Sequence, residues 1–203
     1  MNGLVKCPKC ESLYFPGVTE DETDHLQYCD LVVNGAPLGA LEDERVVWAK
    51  AGDFILLVTD SSSEKARELA QDVSRCANRE ICNVGGIYRV CDPPDERRVH
   101  IFLYVCSSRA VGMCLIERRS KVWRCTWNAN DVPICVEQGS MWSVGVIWVL
   151  KKHRRTGIAH ALFKEVKRVL NLGEDDIGWY TPFSEEGKTF VRRHCPTHYF
   201  VAK

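Results

Sequence analysis

The chain lacks an excess of charge of either sign: 27 Lys and Arg stand against 27 Asp and Glu. No global field therefore steers it toward nucleic acid or a membrane surface. It also lacks any apolar run approaching the length needed to cross a bilayer, and Met1, Asn2 and Gly3 do not open a secretory signal. An intracellular setting is expected. Internal repeats and low-complexity tracts are absent as well, which argues against solenoids and linkers. The 203 residues suffice for one full domain plus a small appendage.

Cysteine, by contrast, is abundant, with 11 residues. Cys91, Cys106, Cys114, Cys125 and Cys135 sit singly in apolar runs, where a reduced thiol packs as a small hydrophobe. No disulfide framework is expected. Near the N-terminus the pattern differs, because Cys7, Cys10, His25 and Cys29 form C-x2-C-x14-H-x3-C. This is zinc-ligand spacing: a C-x2-C turn offers two thiolates, and His and Cys four apart lie one helical turn from each other. Four protein ligands leave no place for water, so a structural zinc is expected in a finger spanning 1–33. Between Cys10 and His25 the charged residues are all acidic (Glu11, Glu20, Asp21, Glu22, Asp24), so sequence-specific DNA binding is not expected. Protein docking or a folding role suits this finger better.

A Gly/Pro-containing, then acidic, connector at 34–44 marks the expected domain boundary, with the main domain at 44–203. Strands are expected at 45–50, 54–59, 99–106, 111–116, 177–181 and 198–202. A helix over 61–78 would start on a capping box of Ser61 and Glu64, and another is expected over 184–194. Turns are expected at Gly85 and Gly86 and at 92–95. The stretch 121–135 is rich in Trp, Cys and Asn without a clear period.

The centre of the chain is 144–171. An apolar strand-like run, 144–150, leads through Arg154, Arg155, Thr156 and Gly157 into a helix whose apolar residues recur at Ile158, Leu162, Val166, Val169 and Leu170. Gly157 allows a ligand close to the backbone where a helix start exposes unpaired N–H groups. Those groups, the positive helix end and flanking Arg and Lys favour a phosphate.

Arg154, Gly157 and Ala159 match Arg/Gln-x-x-Gly-x-Gly/Ala, which resembles the acetyl-CoA loop of GNAT acetyltransferases. Over nearly the whole chain the order of elements is similar to the sister-chromatid cohesion acetyltransferases of the Eco1/ESCO type. The carrying residues are Cys7 to Cys10 with Glu20 to Glu22 and His25 to Tyr28, then 101–105, 111–117, 147–149, Gly187, Lys188 and Phe190. The resemblance implies an α+β GNAT acyl-CoA N-acyltransferase fold, a mixed twisted sheet with flanking helices, behind the finger. It implies acetyl transfer from acetyl-CoA to a protein lysine, in that family on the head of a cohesin subunit, in the nucleus. Chromatin-associated replication factors come with it as partners.

On this resemblance the backbone of Ile147, Trp148 and Val149 would pair with the pantetheine arm. The N–H groups of Arg155, Thr156, Gly157, Ile158, Ala159 and His160 would hold the pyrophosphate, and Phe183, Ser184 and Glu185 would flank the cofactor. A lysine must lose its proton before it attacks a thioester, and here the sequence departs from the family. Gly145 falls where the family has a serine, with Ser143 two residues earlier, and Thr181 stands before Pro182 where the family has Asp or Gln. Three outcomes remain open. Thr181 orients a water-relayed transfer, an acid among Asp175, Asp176, Glu185 and Glu186 substitutes, or the scaffold binds cofactor and partner with little or no turnover.

Overall fold

The computed structural model describes residues 3–40, 44–81, 99–127, 137–173 and 175–202. Two short strands, β1 (Val5–Lys6) and β2 (Leu13–Tyr14), form a hairpin followed by helix α1 (Thr19–Asn34). The main body then runs β3 (Ala36–Pro37), β4 (Val46–Lys50), β5 (Asp53–Val58), α2 (Glu64–Ile81), β6 (Val99–Cys106), β7 (Arg109–Arg119), β8 (Val122–Thr126), β9 (Glu137–Gln138), β10 (Met141–Val149), α3 (Ile158–Leu170), β11 (Ile177–Tyr180), α4 (Glu185–His194) and β12 (His198–Ala202). One sheet carries all of these strands in the order β4-β5-β6-β7-β10-β11-β12-β8-β9, with β3 paired to β7. The pairs β10/β11 and β11/β12 are parallel and the other pairs antiparallel, so the sheet is mixed, as expected.

Helices cover both faces of the sheet. Met113 of β7 meets Ser74 of α2, while its neighbour Gly112 lies under α3, where an added Cβ would come 2.9 Å from Ile158 Cγ2. Successive strand residues point to opposite faces, so α2 and α3 sandwich β7. The missing side chain at Gly112 lets the start of α3 settle directly on the sheet. Leu162 and Val166 of α3 and Leu69, Ala70 and Val73 of α2 are buried, and full burial of a large apolar side chain is worth roughly 1.5–3 kcal/mol.

Several sequence expectations shift. The helix expected over 61–78 runs Glu64–Ile81, and its cap is Ser63, whose Oγ accepts from the Ala66 N–H at 3.1 Å. Ser61 instead pairs with the Thr59 hydroxyl at 3.0 Å. Part of the unassigned stretch 121–135 is β8, which borders β12. Inside the expected connector, β3 pairs with β7, and a Cβ on Gly35 (φ +88°) would lie 2.7 Å from the Ala110 carbonyl oxygen. The chain leaving the finger is thus pressed onto the sheet. The central strand is longer than expected, α3 starts at Ile158 as expected, and Asn171 caps it in the left-handed region. Gly85, Gly86, Cys91, the turn at 92–95 and Cys135 lie outside the described residues. Burial pushes the Cys114 thiol up to about 12, which keeps it an inert apolar group.

Candidate active site and metal centre

Parallel β10 and β11 start as neighbours and then part. Their pairing covers Trp142/Ile177, Ser143/Gly178 and Val144/Trp179 and stops there. At that point β10 has an irregularity against β7 between Val144 and Val146, so Gly145 is the extra residue of a bulge. Beyond it, Val146 to Val149 keep β7 as partner on one edge, and among the described residues no β11 residue pairs with the other. An open strand edge of this kind accepts an extended amide-bearing ligand as it would another strand.

From the same end of β10 the chain reaches α3 through a short 3-10 turn, Lys151–His153. Arg154 buttresses this loop: its Nε donates to the Val149 carbonyl at 2.9 Å, and its guanidinium pairs with Glu80, which also accepts from Trp148 Nε1 at 3.1 Å. Both arginines are exposed, but Arg154 is committed within the protein by these contacts. The Thr156 hydroxyl donates to the His153 carbonyl at 2.6 Å. Gly157 sits at φ +92°, a conformation that disfavours a Cβ, and nothing lies within 4 Å of where one would be. No side chain caps α3, and its first helical bond runs from Ala161 N–H to Gly157 O at 2.9 Å. The N–H groups of Ile158, Ala159 and His160 precede that bond, have no intrahelical acceptor and form an anion-binding end.

The remaining expected positions fall around this cleft as follows. The Trp148 and Val149 side chains are buried and Ile147 half-buried, leaving their backbone as the part available at the edge. His160 is exposed and stacks on His194 of α4 at 5.3 Å. Thr181 is exposed, directly after the last residue of β11. Phe183 turns toward Tyr199 (5.7 Å) and Trp127 (6.4 Å), on the β12 side of β11. The Ser184 hydroxyl accepts from the Gly187 N–H at 3.0 Å and so serves as the α4 cap, with Glu185 exposed beside it. Two of the four acids considered as substitutes have other work: Asp176 accepts from the Gly173 N–H at 2.7 Å, and Asp175 lies 3.1 Å from His198 Nε2.

A different carboxylate lies in the sheet next to the point where β10 and β11 part. Glu117 of β7 is buried, 7 % exposed, and lies across from Ser143 in the sheet, which in turn faces Gly178. The Tyr180 hydroxyl donates to Glu117 Oε1, and Arg119 Nε lies 3.1 Å from the same oxygen with its guanidinium 4.8 Å above the Tyr180 ring. Ser143 is fully buried, with its Oγ unpartnered. Sequence reasoning used Glu117 only as a mark of resemblance and passed over Tyr180. The available signal was a charged residue ending the otherwise apolar run 110–116.

At the other end of the chain, Cys7, Cys10, His25 and Cys29 converge, their ligand atoms all within 4.8 Å of one another. Cys7 Sγ to Cys29 Sγ is 3.9 Å and Cys10 Sγ to His25 Nε2 is 3.5 Å. Tetrahedral zinc with ordinary bond lengths needs about 3.8 Å between two sulfurs and about 3.6 Å between sulfur and nitrogen. The four residues fit that ion. Tyr14 stacks on the His25 ring at 3.9 Å and fixes its plane. Backbone N–H groups of Cys10 and Lys9 lower the Cys7 thiol to about 6, whereas burial and then the neighbouring Cys10 and Cys7 raise Cys29 to about 11. Thiolate charge gathered this closely calls for a cation. Two of the finger's acids cap backbone: Asp21 accepts from Phe15 N–H, and Glu22 accepts from Gly17 N–H at 2.9 Å.

A strand bulge, an opened parallel pair and an uncapped helix start on a mixed α+β sheet are features of the GNAT fold. Residues 139–202 match the family model described as ESCO1/2 acetyl-transferase. N-acetyltransferase ECO1 of Kluyveromyces lactis is 24% identical over 233 residues, covering 94% of this chain and 85% of that protein. The ECO1 of Candida glabrata is 21% identical over 217 residues, covering 91% and 82%. N-acetyltransferase ESCO1 of Homo sapiens is 20% identical and matches 98% of this chain with only 26% of its own length. Among solved structures, the xEco2 acetyltransferase domain bound to a K105-CoA conjugate superposes with a TM-score of 0.64 at 20% identity, covering 79% of this chain and 98% of that one. Over most of its length the chain is similar to the Eco1/ESCO N-acetyltransferases.

Proposed function

We propose that the protein transfers the acetyl group of acetyl-CoA to a lysine amine of a protein, on a cohesin subunit, in the nucleus, and so serves sister-chromatid cohesion. The single observation that carries the donor assignment is the cleft that opens at Gly145 and ends on the uncapped start of α3. The open edge of β10 from Val146 to Val149 receives the amide-bearing pantetheine arm. The N–H groups from Arg155 to His160 receive the pyrophosphate, with Arg155 supplying charge. A relative whose solved complex carries a K105-CoA conjugate supports the lysine acceptor. Residues 1–33 form the zinc finger and 44–203 the GNAT-like transferase domain. Cys7, Cys10, His25 and Cys29 hold a zinc ion whose role is structural, since four protein ligands leave no open position.

Incubating the purified chain with acetyl-CoA and a cohesin head fragment, followed by mass spectrometry, tests the reading. An acetyl group on a lysine of the fragment is the expected result. Cofactor binding with no acetylated lysine would favour the inert scaffold instead, the reading to which Gly145 and Thr181 in place of the family's serine and Asp or Gln point.

A further inference from the structure

The proposed reaction requires a proton acceptor for the lysine ammonium, whose ordinary pKa is about 10.4. Thr181 has no group that ionises near neutral pH. The chain nevertheless places one carboxylate on the sheet at the point where β10 and β11 part. Ser143, Glu117 and Gly178 form one cross-strand row, and partners in such a row put their side chains on one face. Tyr180 follows two residues after Gly178 and Arg119 two after Glu117, so both share that face. Tyr180 is also the last residue of β11, beyond the last β10/β11 pair, and half-buried where Glu117 is buried.

We infer that Tyr180 and Glu117 act together as the proton relay of this transferase, Tyr180 touching the acceptor amine and Glu117 holding the proton behind it. The inference rests on the acetyl-transfer reading above. The tyrosine oxygen accepts a proton from the lysine ammonium while its own proton passes to the Glu117 carboxylate. The neutral amine then forms the C–N bond to the thioester carbonyl, and the C–S bond breaks. The leaving thiolate takes up the second proton released by the amide nitrogen, and Glu117 returns its proton to water.

Three features on that face suit the role. The tyrosine hydroxyl already points its hydrogen at Glu117, so the second transfer needs no rearrangement. Arg119 contacts both partners and fixes the ring while balancing carboxylate charge. The buried, unpartnered Ser143 hydroxyl costs about 1–3 kcal/mol, which a face built only for packing would avoid. Gly178 makes room for it, since a Cβ there would sit 2.5 Å from Ser143 Oγ.

Tyr180→Phe keeps the ring under Arg119 and removes only the hydroxyl. With acetyl-CoA and a lysine acceptor at neutral pH, kcat should fall roughly a hundredfold or more, with unchanged acetyl-CoA affinity by calorimetry. The variant then depends on amine already neutral in solution. Its rate should climb about tenfold per pH unit toward the amine pKa, so the defect shrinks as pH rises, whereas the unsubstituted chain stays flat. Glu117→Gln should behave alike, and the double variant should be little worse than either single one. Full activity of Tyr180→Phe, or a loss equal at every pH, would overturn the relay. An unsubstituted chain that binds acetyl-CoA and transfers nothing would overturn the functional reading, and the relay with it.

Discussion

Gly157 is the residue on which the cofactor assignment turns, because two independent facts meet there. Its backbone lies at φ +92°, and the space beyond its Cα is open. A side chain at this position is strained by about 1–2 kcal/mol and projects into the space proposed for the phosphate. Gly157→Glu adds a negative charge to that strain, so acetyl-CoA affinity should drop at least about tenfold in a calorimetric titration, while far-ultraviolet circular dichroism stays unchanged. Undiminished affinity would separate this loop from the cofactor. Gly157 was legible in the sequence because a glycine between a basic loop and a helical period is what an anion-binding helix start requires. Glu117 and Tyr180 were not, since they are far apart along the chain and meet only through the register of β7, β10 and β11.

Among the elements, those with a strong local period could be read directly and those defined by long-range pairing could not. The starts of α3 and α4 and the last strand emerged from spacing: α3 begins at Ile158, α4 at Glu185 and β12 at His198. The start of α2 was misplaced by three residues because a run of serines at 61–63 offers three equivalent caps, and only folding selects Ser63. β8 escaped notice because its identity comes from β12, whose residues lie far along the chain. The finger is the reverse case, as spacing alone named the four residues that converge and α1 then brought His25 and Cys29 onto adjacent turns. Among its described residues only Cys7, Cys10 and Cys29 are buried, so the proposed ion would hold this segment more than a core does. A chelator should therefore release one zinc per chain, read by a colorimetric indicator, and open the segment before Asn34 to limited proteolysis. A metal-free chain equally resistant to protease would contradict this.

At the scale of the molecule, finger and sheet are fastened together rather than strung on a linker. Arg79 of α2 donates to Ser12 Oγ at 2.9 Å and lies over the Tyr28 ring, Arg109 of β7 holds Asp30 at 2.7 Å, and Leu31 and Val32 join the main core. Asn34 and Arg109 hold the Asp30 carboxyl below the usual carboxylate range, so this tie persists at any pH where such groups are ionised. The finger thereby braces α2 and β7, the elements that carry Glu80 and Glu117 to the cleft. The whole arrangement makes its strongest claim at one place, the backbone from Gly145 to His160. Amide hydrogen exchange followed by mass spectrometry, with and without acetyl-CoA, reads that backbone directly. Exchange should slow over 146–149 and 155–160 when the cofactor is present; binding that leaves those amides exchanging at their free rate would contradict the account.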